Sequence, residues 1–258
     1  MILFNRDLLS EPAIVAEIGA NHEGVEDKAH DLIHKAADCG VDAVKFQTFT
    51  GRKFHLPYDA FLRLAETADS CKVQFFSTPL DIPDAKALDP YVETWKVASA
   101  ELAHWDLLGF MADTGKPVVL STGGSSEAEI SHALDLLTNV EVVLLHSVPK
   151  YPTLPQDADV AQMAWLYERF GLPVGYSDHT LGLDACKLAL GMGAVLIEKH
   201  FTDDKNRDFR DHKLSADQIE MKELVRFARN VPVLQGKYER TPLPEIEDIR
   251  SKRSWGSQ

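Results

Sequence analysis

The chain has 258 residues, which suits one large domain and is too short for a domain of ~250 residues plus a second full domain. Its hydrophobic content of 45% is ordinary for a globular protein with a sizeable core. A net charge of -13 argues against binding to nucleic acid or to an anionic membrane, although local lysines can still hold an anionic small substrate.

The cysteines and the amino terminus bear on the compartment. Cys39, Cys71 and Cys186 are scattered, odd in number and without CxxC spacing, which does not suit a disulfide framework. The first ten residues, MILFNRDLLS, lack the basic start, apolar core and cleavage site of a signal peptide. No run approaches the ~18 apolar residues of a membrane span. We therefore expect a cytoplasmic protein with no membrane partner.

Eight short apolar runs recur along the chain, separated by helix-like stretches. The runs span residues 14–21, 41–48, 73–79, 94–99, 117–122, 142–147, 173–178 and 195–200. Most are continuous rather than alternating, which is typical of parallel strands covered on both faces. Strand followed by helix, eight times over, predicts an α/β fold of the (β/α)8 type, a TIM barrel in a single domain.

The stretches between the runs have helical periodicity. Helices are predicted over residues 28–39, 127–138, 181–190 and 216–229. Gly40 should end the first, Ser125 or Ser126 should cap the second, and Ser215 with Gln218 fits a capping box for the last. From about Gly236 the chain has two prolines, mixed charge and few apolar residues. We predict a barrel over 1–235 and a short extended tail over 236–258.

Polar, chemically capable residues stand at the end of nearly every run. They are Glu17, Asn21, Lys45, Gln47, Lys96, Ser99, Glu101, Ser121, His146, Ser177, His179, Glu198 and His200. A (β/α)8 barrel brings these strand ends to one rim, where its reactive groups gather. The sequence therefore predicts an active site at that rim.

Two histidines at this rim form a candidate metal site. His179 and His200 are separated by about one strand–helix unit, so their rings can converge from neighbouring strands. Two imidazoles, a carboxylate and open positions suit a divalent cation. Asp178, Glu198 or Asp211 could fix the second ring nitrogen of each histidine. The alternative is a pair of ordinary rim histidines.

Two lysines interrupt apolar strands. Lys45 lies in VDAVKFQT and Lys96 in TWKVASAE, and a lysine in such a place is costly to bury unless it is paired. Both pointing into a barrel mouth would make a site for phosphate or carboxylate. Two alternatives stay open. One is a Schiff-base lysine, as in barrel aldolases, and the other is an ion pair with Glu17, Glu101 or Glu198.

Hydroxyl side chains and carboxylates complete the rim. Hydroxyls stand at the strand ends Ser77-Thr78, Ser99, Ser121-Thr122, Ser147 and Ser177. Together with free N–H groups at helix starts they suit an oxyanion ligand, whereas singly each would only indicate a cap. Glu17 and Glu101 could serve as acid, base or metal ligand, or as structural ion-pair partners.

Eight motifs together resemble one known family. AEIGANHEG, VDAVKFQT, FFSTP, KVASAE, GKPVVLSTGGSS, LLHSVPKYPT, LPVGYSDHTLG and IEKHFTDDKN resemble the N-acetylneuraminate (sialic acid) synthase family, in the family's order over about 14–254. The resemblance implies a (β/α)8 barrel that condenses phosphoenolpyruvate with an aldose, usually an N-acetylmannosamine-like amino sugar. The products would be a sialic-acid-like 2-keto-3-deoxy acid and phosphate. It also implies a divalent cation, Mn²⁺ or Mg²⁺, that polarises the aldehyde, and no lysine Schiff base.

The resemblance also assigns roles to residues of this chain. It places the metal on His179 and His200. It places phosphoenolpyruvate on Lys45, Lys96, Ser99, Ser121 and Ser177. The expected catalytic residues are Glu17, Glu101 and Lys96, and the expected acceptor side comprises Asn21, Gln47, Tyr151 and Asp211.

Several departures from the family concern the acceptor. The segment 49–71 is short, and the loop Asp208-Phe209-Arg210-Asp211-His212 lacks the proline and glycine of the family's PGPDH-like loop. Ala100 stands where glycine is common. The family continues past the SKRSW stretch into an antifreeze-like domain that supplies an arginine to a partner's acceptor pocket. These departures imply a longer form of this chain, a separate chain carrying that domain, or a different acceptor. The resemblance also implies a possible homodimer, although that domain normally contributes to the dimer contact.

Overall fold

The computed structural model describes residues 1–49, 51, 54–209 and 211–236. Its strands are β1 (Ile2–Leu3), β2 (Arg6–Asp7), β3 (Ala13–Gly19), β4 (Ala43–Thr48), β5 (Gln74–Pro79), β6 (Trp95–Val97), β7 (Val118–Ser121), β8 (Val142–Ser147), β9 (Val174–Asp178) and β10 (Leu196–His200). Its α-helices are α1 (Glu26–Ala37), α2 (Tyr58–Ser70), α3 (Ile82–Leu88), α4 (Trp105–Asp113), α5 (Glu127–Leu136), α6 (Gln162–Phe170), α7 (Asp184–Gly191) and α8 (Gln218–Gln235).

Strands β3 to β10 form one parallel sheet that curls into a nearly closed barrel. The hydrogen-bonded order is β5-β4-β3-β10-β9-β8-β7-β6, so the first and last barrel strands, β3 and β10, are neighbours. Within the described residues the ladder is interrupted only at the seam between β5 and β6. Helices between successive strands cover the outside. The predicted (β/α)8 barrel is thus confirmed, and all eight predicted runs coincide with barrel strands.

Apolar faces attach the helices to the barrel. In α1 the buried residues Ala29, Leu32, Ile33 and Ala36 recur at helical spacing and form one face. Gly40 follows at φ 82, the left-handed conformation that ends a helix at low cost, as the sequence predicted. The predicted helix type is therefore correct here, while the bounds differ by about two residues.

A hairpin precedes the barrel and has no counterpart among the predicted elements. Strands β1 and β2 pair antiparallel through Phe4 and Asn5, both at positive φ. The Phe4 ring lies 5.0 Å from that of Phe76 inside the barrel. Arg6 and Arg229 both bind the Asp42 carboxylate, which also accepts a hydrogen bond from the Ile14 amide. The hairpin closes the amino-terminal end of the barrel, away from the predicted site.

The cap of the last helix differs from the prediction. The capping box of α8 is formed by Asp217 and Glu220, not by Ser215 and Gln218. Asp217 Oδ1 accepts from the amides of Ile219 and Glu220, at 2.9 Å each. Ser215 instead donates to the Asp211 carbonyl and stays in the preceding loop. Both pairs of residues match the capping-box pattern in the sequence. The loop before α8 places Asp217 at the first position of the box, so only the pair of Asp217 and Glu220 forms it.

We expect Asp217→Ala to destabilise the protein by about 1 kcal/mol, because two amides at the start of α8 lose their acceptor. Urea unfolding followed by circular dichroism measures this loss. The matched variant is Gln218→Ala, which removes the other residue at the start of α8 that the sequence had offered for the capping box. An equal or larger loss in Gln218→Ala than in Asp217→Ala would contradict the assigned cap.

Two expectations concern the rest of the chain. Apart from Gly236, the tail predicted over 236–258 lies outside the described residues. Among the residues that the structure describes, no helix combines the length and the apolar character needed to cross a membrane.

Candidate active site

A cavity of about 290 Å³ opens at the carboxyl ends of the barrel strands. Most of the predicted site residues line it, namely Glu17, Lys45, Gln47, Lys96, Ser99, Glu101, Ser121, Tyr151, Ser177, His179 and His200. With Thr78 and Ser147, which also line it, the described part of the structure gathers residues from all eight barrel strands and their following loops around one space.

Two of the expected acceptor residues do not line this cavity. Asn21 is fully buried, and its side-chain amide donates to the Phe201 carbonyl and to Ser215 Oγ. It ties the loop after β3 to the loop after β10. The pKa of the Tyr151 phenol is raised mainly by the partial burial of its ring and further by the negative charge of Asp211, which lies nearby. Asn21 therefore has a structural contact in place of the expected position in the cavity.

Strand alternation decides which rim residues face the cavity. Ser177 and His179 point inward from the end of β9, and Glu198 and His200 point inward from β10. His146 on β8 was expected at the rim but points outward. Its ring stacks on Tyr176, with centroids 5.6 Å apart, and its Nε2 lies 3.0 Å from the Ala158 carbonyl oxygen. His146 is therefore not part of this cavity.

Lys45 is paired with carboxylates. Its ammonium lies 2.8 Å from Glu17 Oε2 and 3.6 Å from Glu198 Oε1, and all three side chains are buried. Burial lowers the pKa of Lys45, but the two carboxylates outweigh it and raise the pKa overall. Of the alternatives left open for this lysine, the structure thus shows the ion pair with Glu17 and Glu198.

Glu17 and Glu198 share this single positive charge, and their pKa values diverge. Burial, with a smaller contribution from Glu198, raises the pKa of Glu17 to about 7 despite Lys45. Burial also opposes ionisation of Glu198, yet Lys45 and Lys96 outweigh it and lower the pKa of that carboxyl. Glu17 thus keeps a proton for part of the time near neutral pH, while Glu198 is ionised. Such a pair can give and take protons.

Lys96 has different surroundings. Its ammonium donates to Ser121 Oγ at 2.7 Å and to the Val97 carbonyl at 2.9 Å, and the side chain is 2% exposed. Among the described residues, no carboxylate lies within ion-pair distance of it. Burial therefore lowers the pKa of Lys96 to about 8, although Glu198 raises it. Lys96 is thus a cation in the cavity wall with no matching anion in the part of the chain that the structure describes.

A cluster of hydroxyls and one backbone amide lies next to Lys96. Ser99 Oγ is 3.0 Å from Ser147 Oγ and accepts a hydrogen bond from the Gly123 amide at 3.1 Å. Gly123 is required here, because a Cβ would lie 2.6 Å from the Ser147 carbonyl oxygen and 2.8 Å from Ser99 Oγ. We name Lys96, Ser99, Ser121, Ser147 and the Gly123 amide the anion cradle. Its donors suit a phosphate or carboxylate group.

Gly123→Ala is expected to weaken the binding of phosphate-bearing ligands at least about tenfold, because the new methyl group displaces Ser99 and Ser147. Isothermal titration with phosphoenolpyruvate measures the effect. Gly109→Ala is the matched control, since a Cβ at that position of α4 meets no atom within 4 Å. Equal affinities in the two variants would contradict the cradle.

The two histidines meet on the opposite wall of the cavity. Their ring centroids are 5.6 Å apart, and His179 Nδ1 lies 2.9 Å from the Val148 carbonyl oxygen. His200 Nδ1 is buried and has no hydrogen-bond partner among the described residues. Burial lowers the pKa of both rings, most strongly at His200. Both are therefore neutral near pH 7, the form in which imidazole binds a metal ion.

The pair fits a divalent cation in part. A neutral imidazole held at Nδ1 by a carbonyl leaves Nε2 free as a ligand, and His200 has an unpartnered buried nitrogen. In the described residues no group of three or more His, Cys, Asp or Glu side chains has metal-site geometry. A cation held here would thus have two protein ligands and would leave its other positions to water or substrate.

Tyr151 covers the histidine pair at the mouth of the cavity. Its ring lies 4.1 Å from that of His179 and 6.1 Å from that of His200, and the residue is 53% exposed. On the other side, Gln47 Nε2 donates to Glu17 Oε1 at 2.9 Å. Both side chains lie between the buried charges and solvent, where a second substrate would enter.

Three polar residues of the cavity wall, Glu198, Ser147 and Thr78, received no catalytic or binding role from the resemblance. Glu198 belonged to the predicted rim set, and Ser147 and Thr78 belonged to the predicted hydroxyl set. Glu198 contacts Lys45, which is one of the ion pairs left open by the sequence, and it accepts from Ser177 Oγ at 3.0 Å. The sequence did indicate that Glu198 faces the cavity. Glu198 lies two residues before His200 on the same strand, and residues at that spacing point to the same face of the sheet.

Comparisons with known proteins agree with this site. A sequence profile of the NeuB family matches residues 50–240. The chain belongs to the NeuB family. An uncharacterized protein from Methanocaldococcus jannaschii is 40% identical, over 92% of this chain and 75% of the relative. An N,N'-diacetyllegionaminic acid synthase from Legionella pneumophila is 34% identical, over 92% and 77%.

A solved structure extends the comparison with this NeuB-family chain. The crystal structure of an N-acetylneuraminic acid (sialic acid) synthetase from Leptospira borgpetersenii, in complex with citrate, superposes with a TM-score of 0.88. Its sequence is 32% identical, and the match covers 96% of this chain and 94% of that one. The predicted family is thus confirmed. This NeuB-family chain is an enzyme, a phosphoenolpyruvate-dependent transferase that forms carbon–carbon bonds.

Proposed function

We propose that this enzyme condenses phosphoenolpyruvate with an N-acetylmannosamine-like amino sugar or a related aldose. The products are a sialic-acid-like 2-keto-3-deoxy acid and inorganic phosphate. The observation that carries the proposal is one cavity in which the anion cradle faces the His179–His200 pair. One wall suits the charged groups of phosphoenolpyruvate, and the other suits the polar aldehyde end of an open-chain sugar.

Lys96 and its neighbours bind the enol phosphate. Lys96 supplies the charge, while the Ser121 and Ser99 hydroxyls supply directed hydrogen bonds to phosphate and carboxylate oxygens. The Gly123 amide holds Ser99 Oγ in place. Ser177 and Lys45 lie deeper in the wall, against Glu198. These contacts orient the C3 carbon towards the sugar aldehyde, so that two substrates meet in near-attack geometry.

Glu17 and Glu101 serve the acid–base steps. When C3 of phosphoenolpyruvate bonds to the aldehyde carbon, C2 becomes cationic and the aldehyde oxygen takes a proton. Water then adds to C2 and loses one proton. The C2–O bond to phosphate breaks as the resulting C2 hydroxyl gives its remaining proton to the departing phosphate and becomes the ketone. Glu17 lines the cavity with a carboxyl that exists in both protonation states near pH 7, so it can move these protons. Gln47 and Tyr151 contact the acceptor.

A divalent cation, Mn²⁺ or Mg²⁺, belongs to the proposal. His179 and His200 would hold it, and when bound it supplies Lewis-acid polarisation of the sugar aldehyde. Tyr151 shields this wall from water, since its ring covers both imidazoles.

The test is a screen of aldoses with phosphoenolpyruvate and Mn²⁺, followed by phosphate release and mass spectrometry of the product. We expect release with at least one N-acetylated amino sugar, and its loss on adding a chelator. Phosphate release that persists in excess chelator would refute the metal requirement. A complete screen without a condensation product would refute the synthase assignment.

The lysine aldolase remains the second candidate, because one observation favours it. A buried lysine with a pKa lowered to about 8 and no carboxylate within ion-pair distance in the described residues is chemically suited to form a Schiff base. Borohydride trapping with pyruvate would label Lys96 if this reading held. Unlabelled protein, with a Lys96→Ala control, would exclude it.

A further inference from the structure

A buried ion pair lies directly behind the histidine pair, on the outer face of the barrel. Lys199 Nζ is 2.7 Å from Asp178 Oδ2, and the two side chains are 1% and 0% exposed. The residues are opposite each other in the β9–β10 register. Neither lines the cavity, so neither belongs to the binding surface described above.

The pair is the middle one of three successive polar pairs across β9 and β10. Before it, and facing inward, Ser177 donates to Glu198. After it, and again facing inward, come His179 and His200. These pairs on both faces of the sheet specify which residues of β9 lie opposite which residues of β10. A slip of one strand by one residue would separate the partners of every pair and turn each side chain to the other face.

The ion pair also holds the backbone on both sides of His179. Lys199 Nζ donates to the Thr180 carbonyl at 2.6 Å. The Asp178 carboxylate accepts from the Thr180 amide at 3.0 Å and from its hydroxyl at 3.2 Å. The residues before and after His179 are therefore tied to the residue before His200. The backbone that carries one imidazole is linked directly to the backbone that carries the other.

Stability alone does not explain a charge pair at this position. A buried ion pair is often no more stabilising than a well-packed apolar pair of the same volume. The surroundings are otherwise suited to apolar packing, since Cys186 of α7 covers the Asp178 carboxylate and Ile197 is the preceding outward residue of β10. What the ion pair adds is a directed link between two particular backbone segments.

We propose that Asp178 and Lys199 are positioning residues that set the spacing of His179 and His200 for a shared divalent cation. The proposal rests on the cation site of the proposed function. Outer-shell groups that orient metal ligands typically change metal affinity 10- to 100-fold when they are replaced.

The test is the double variant Asp178→Asn/Lys199→Met. Asparagine keeps an acceptor for Thr180, methionine fills the volume, and no unpaired charge remains buried. Folding is checked by circular dichroism. Mn²⁺ alone is then titrated without substrates, with the free ion followed by electron paramagnetic resonance. We expect a loss of affinity of roughly 10- to 100-fold, and a lowered turnover that higher Mn²⁺ concentrations restore.

Two control variants separate the possible results. Asp42→Asn removes a buried carboxylate at the opposite end of the barrel and should lower stability without changing Mn²⁺ affinity. The His179→Ala/His200→Ala variant defines binding that depends on the histidines. Wild-type affinity equal to that of this variant would overturn the cation site of the proposed function. If Mn²⁺ binding depends on the histidines but its affinity is unchanged in Asp178→Asn/Lys199→Met, only the positioning role of Asp178 and Lys199 is overturned.

A double variant that does not fold is replaced by Asp178→Asn/Lys199→Gln, in which two amides replace the two charges and no ammonium stays buried without its carboxylate. We then expect a smaller loss of Mn²⁺ affinity in the same direction. Unchanged affinity in this folded variant would equally overturn the proposal.

Discussion

Lys96→Met is expected to raise the stability of the protein while it removes most of its affinity for phosphoenolpyruvate. On folding, burial lowers the pKa of this lysine from 10.5 to about 8. Since each pKa unit corresponds to about 1.4 kcal/mol, the charged lysine destabilises the folded state by roughly 3 kcal/mol at neutral pH. The ligand loses a charge-assisted contact worth roughly 1.5–3 kcal/mol, or about ten- to a hundredfold in affinity.

Lys45→Met should have the opposite effect on stability. This lysine neutralises Glu17 and Glu198, and its removal leaves buried carboxylates without a partner. Breaking such a pair typically costs about 3–5 kcal/mol. Urea unfolding and calorimetric titration with phosphoenolpyruvate measure both variants. A Lys96→Met protein less stable than wild type would contradict the unpaired state of Lys96.

The pH dependence supplies a further check on Lys96. Between about pH 8 and 10.5 the unfolded chain holds the Lys96 proton while the folded protein has released it. Because the unfolded state binds more protons there, this residue makes stability rise with pH in that window. The stability advantage of Lys96→Met should therefore shrink as the pH rises from 8 to 10.5. If the difference in unfolding free energy between Lys96→Met and wild type stayed constant over this pH range, folding would not change the pKa of Lys96.

His179→Ala and His200→Ala should each lower turnover at fixed Mn²⁺ by at least about a hundredfold. Lewis-acid polarisation contributes several kcal/mol to such a reaction, and each 1.4 kcal/mol is a factor of ten. Mn²⁺ should also raise the melting temperature of the wild type but not of either variant, by mass action. Because His200 is 4% exposed, its truncation leaves a cavity, and His200→Asn is the milder companion variant.

His132→Ala is the matched control, since this exposed histidine on α5 contacts Trp105 and does not line the cavity. It should leave both turnover and the Mn²⁺-induced stabilisation unchanged. Full activity in a folded His200→Ala protein would defeat the metal assignment, whatever the response of the control.

Several elements of the site followed from residue order alone. If the chain is assumed to form a barrel, side chains of lysines inside apolar runs are predicted to point into the barrel at its rim. The same holds for two histidines that are one strand–helix unit apart. Lys96 and His200 lie there. The same reasoning included Asn21 and His146 in the site, but neither side chain lines the cavity. Position near a strand end was visible in the sequence, but the direction of each side chain depends on the pleat and on the path of the loop.

The sequence by itself determined the barrel and the set of polar strand ends, because apolar runs at regular spacing can be buried together in few ways. The family followed from the resemblance of its motifs. Only the tertiary structure decided the charge state of that set. Lys45 contacts two carboxylates, whereas Lys96 contacts one hydroxyl and one backbone carbonyl. The difference arises from the residues on the adjacent strands. Burial then acts on each group according to those neighbours, so that one lysine stabilises the fold and the other is left free to bind an anion.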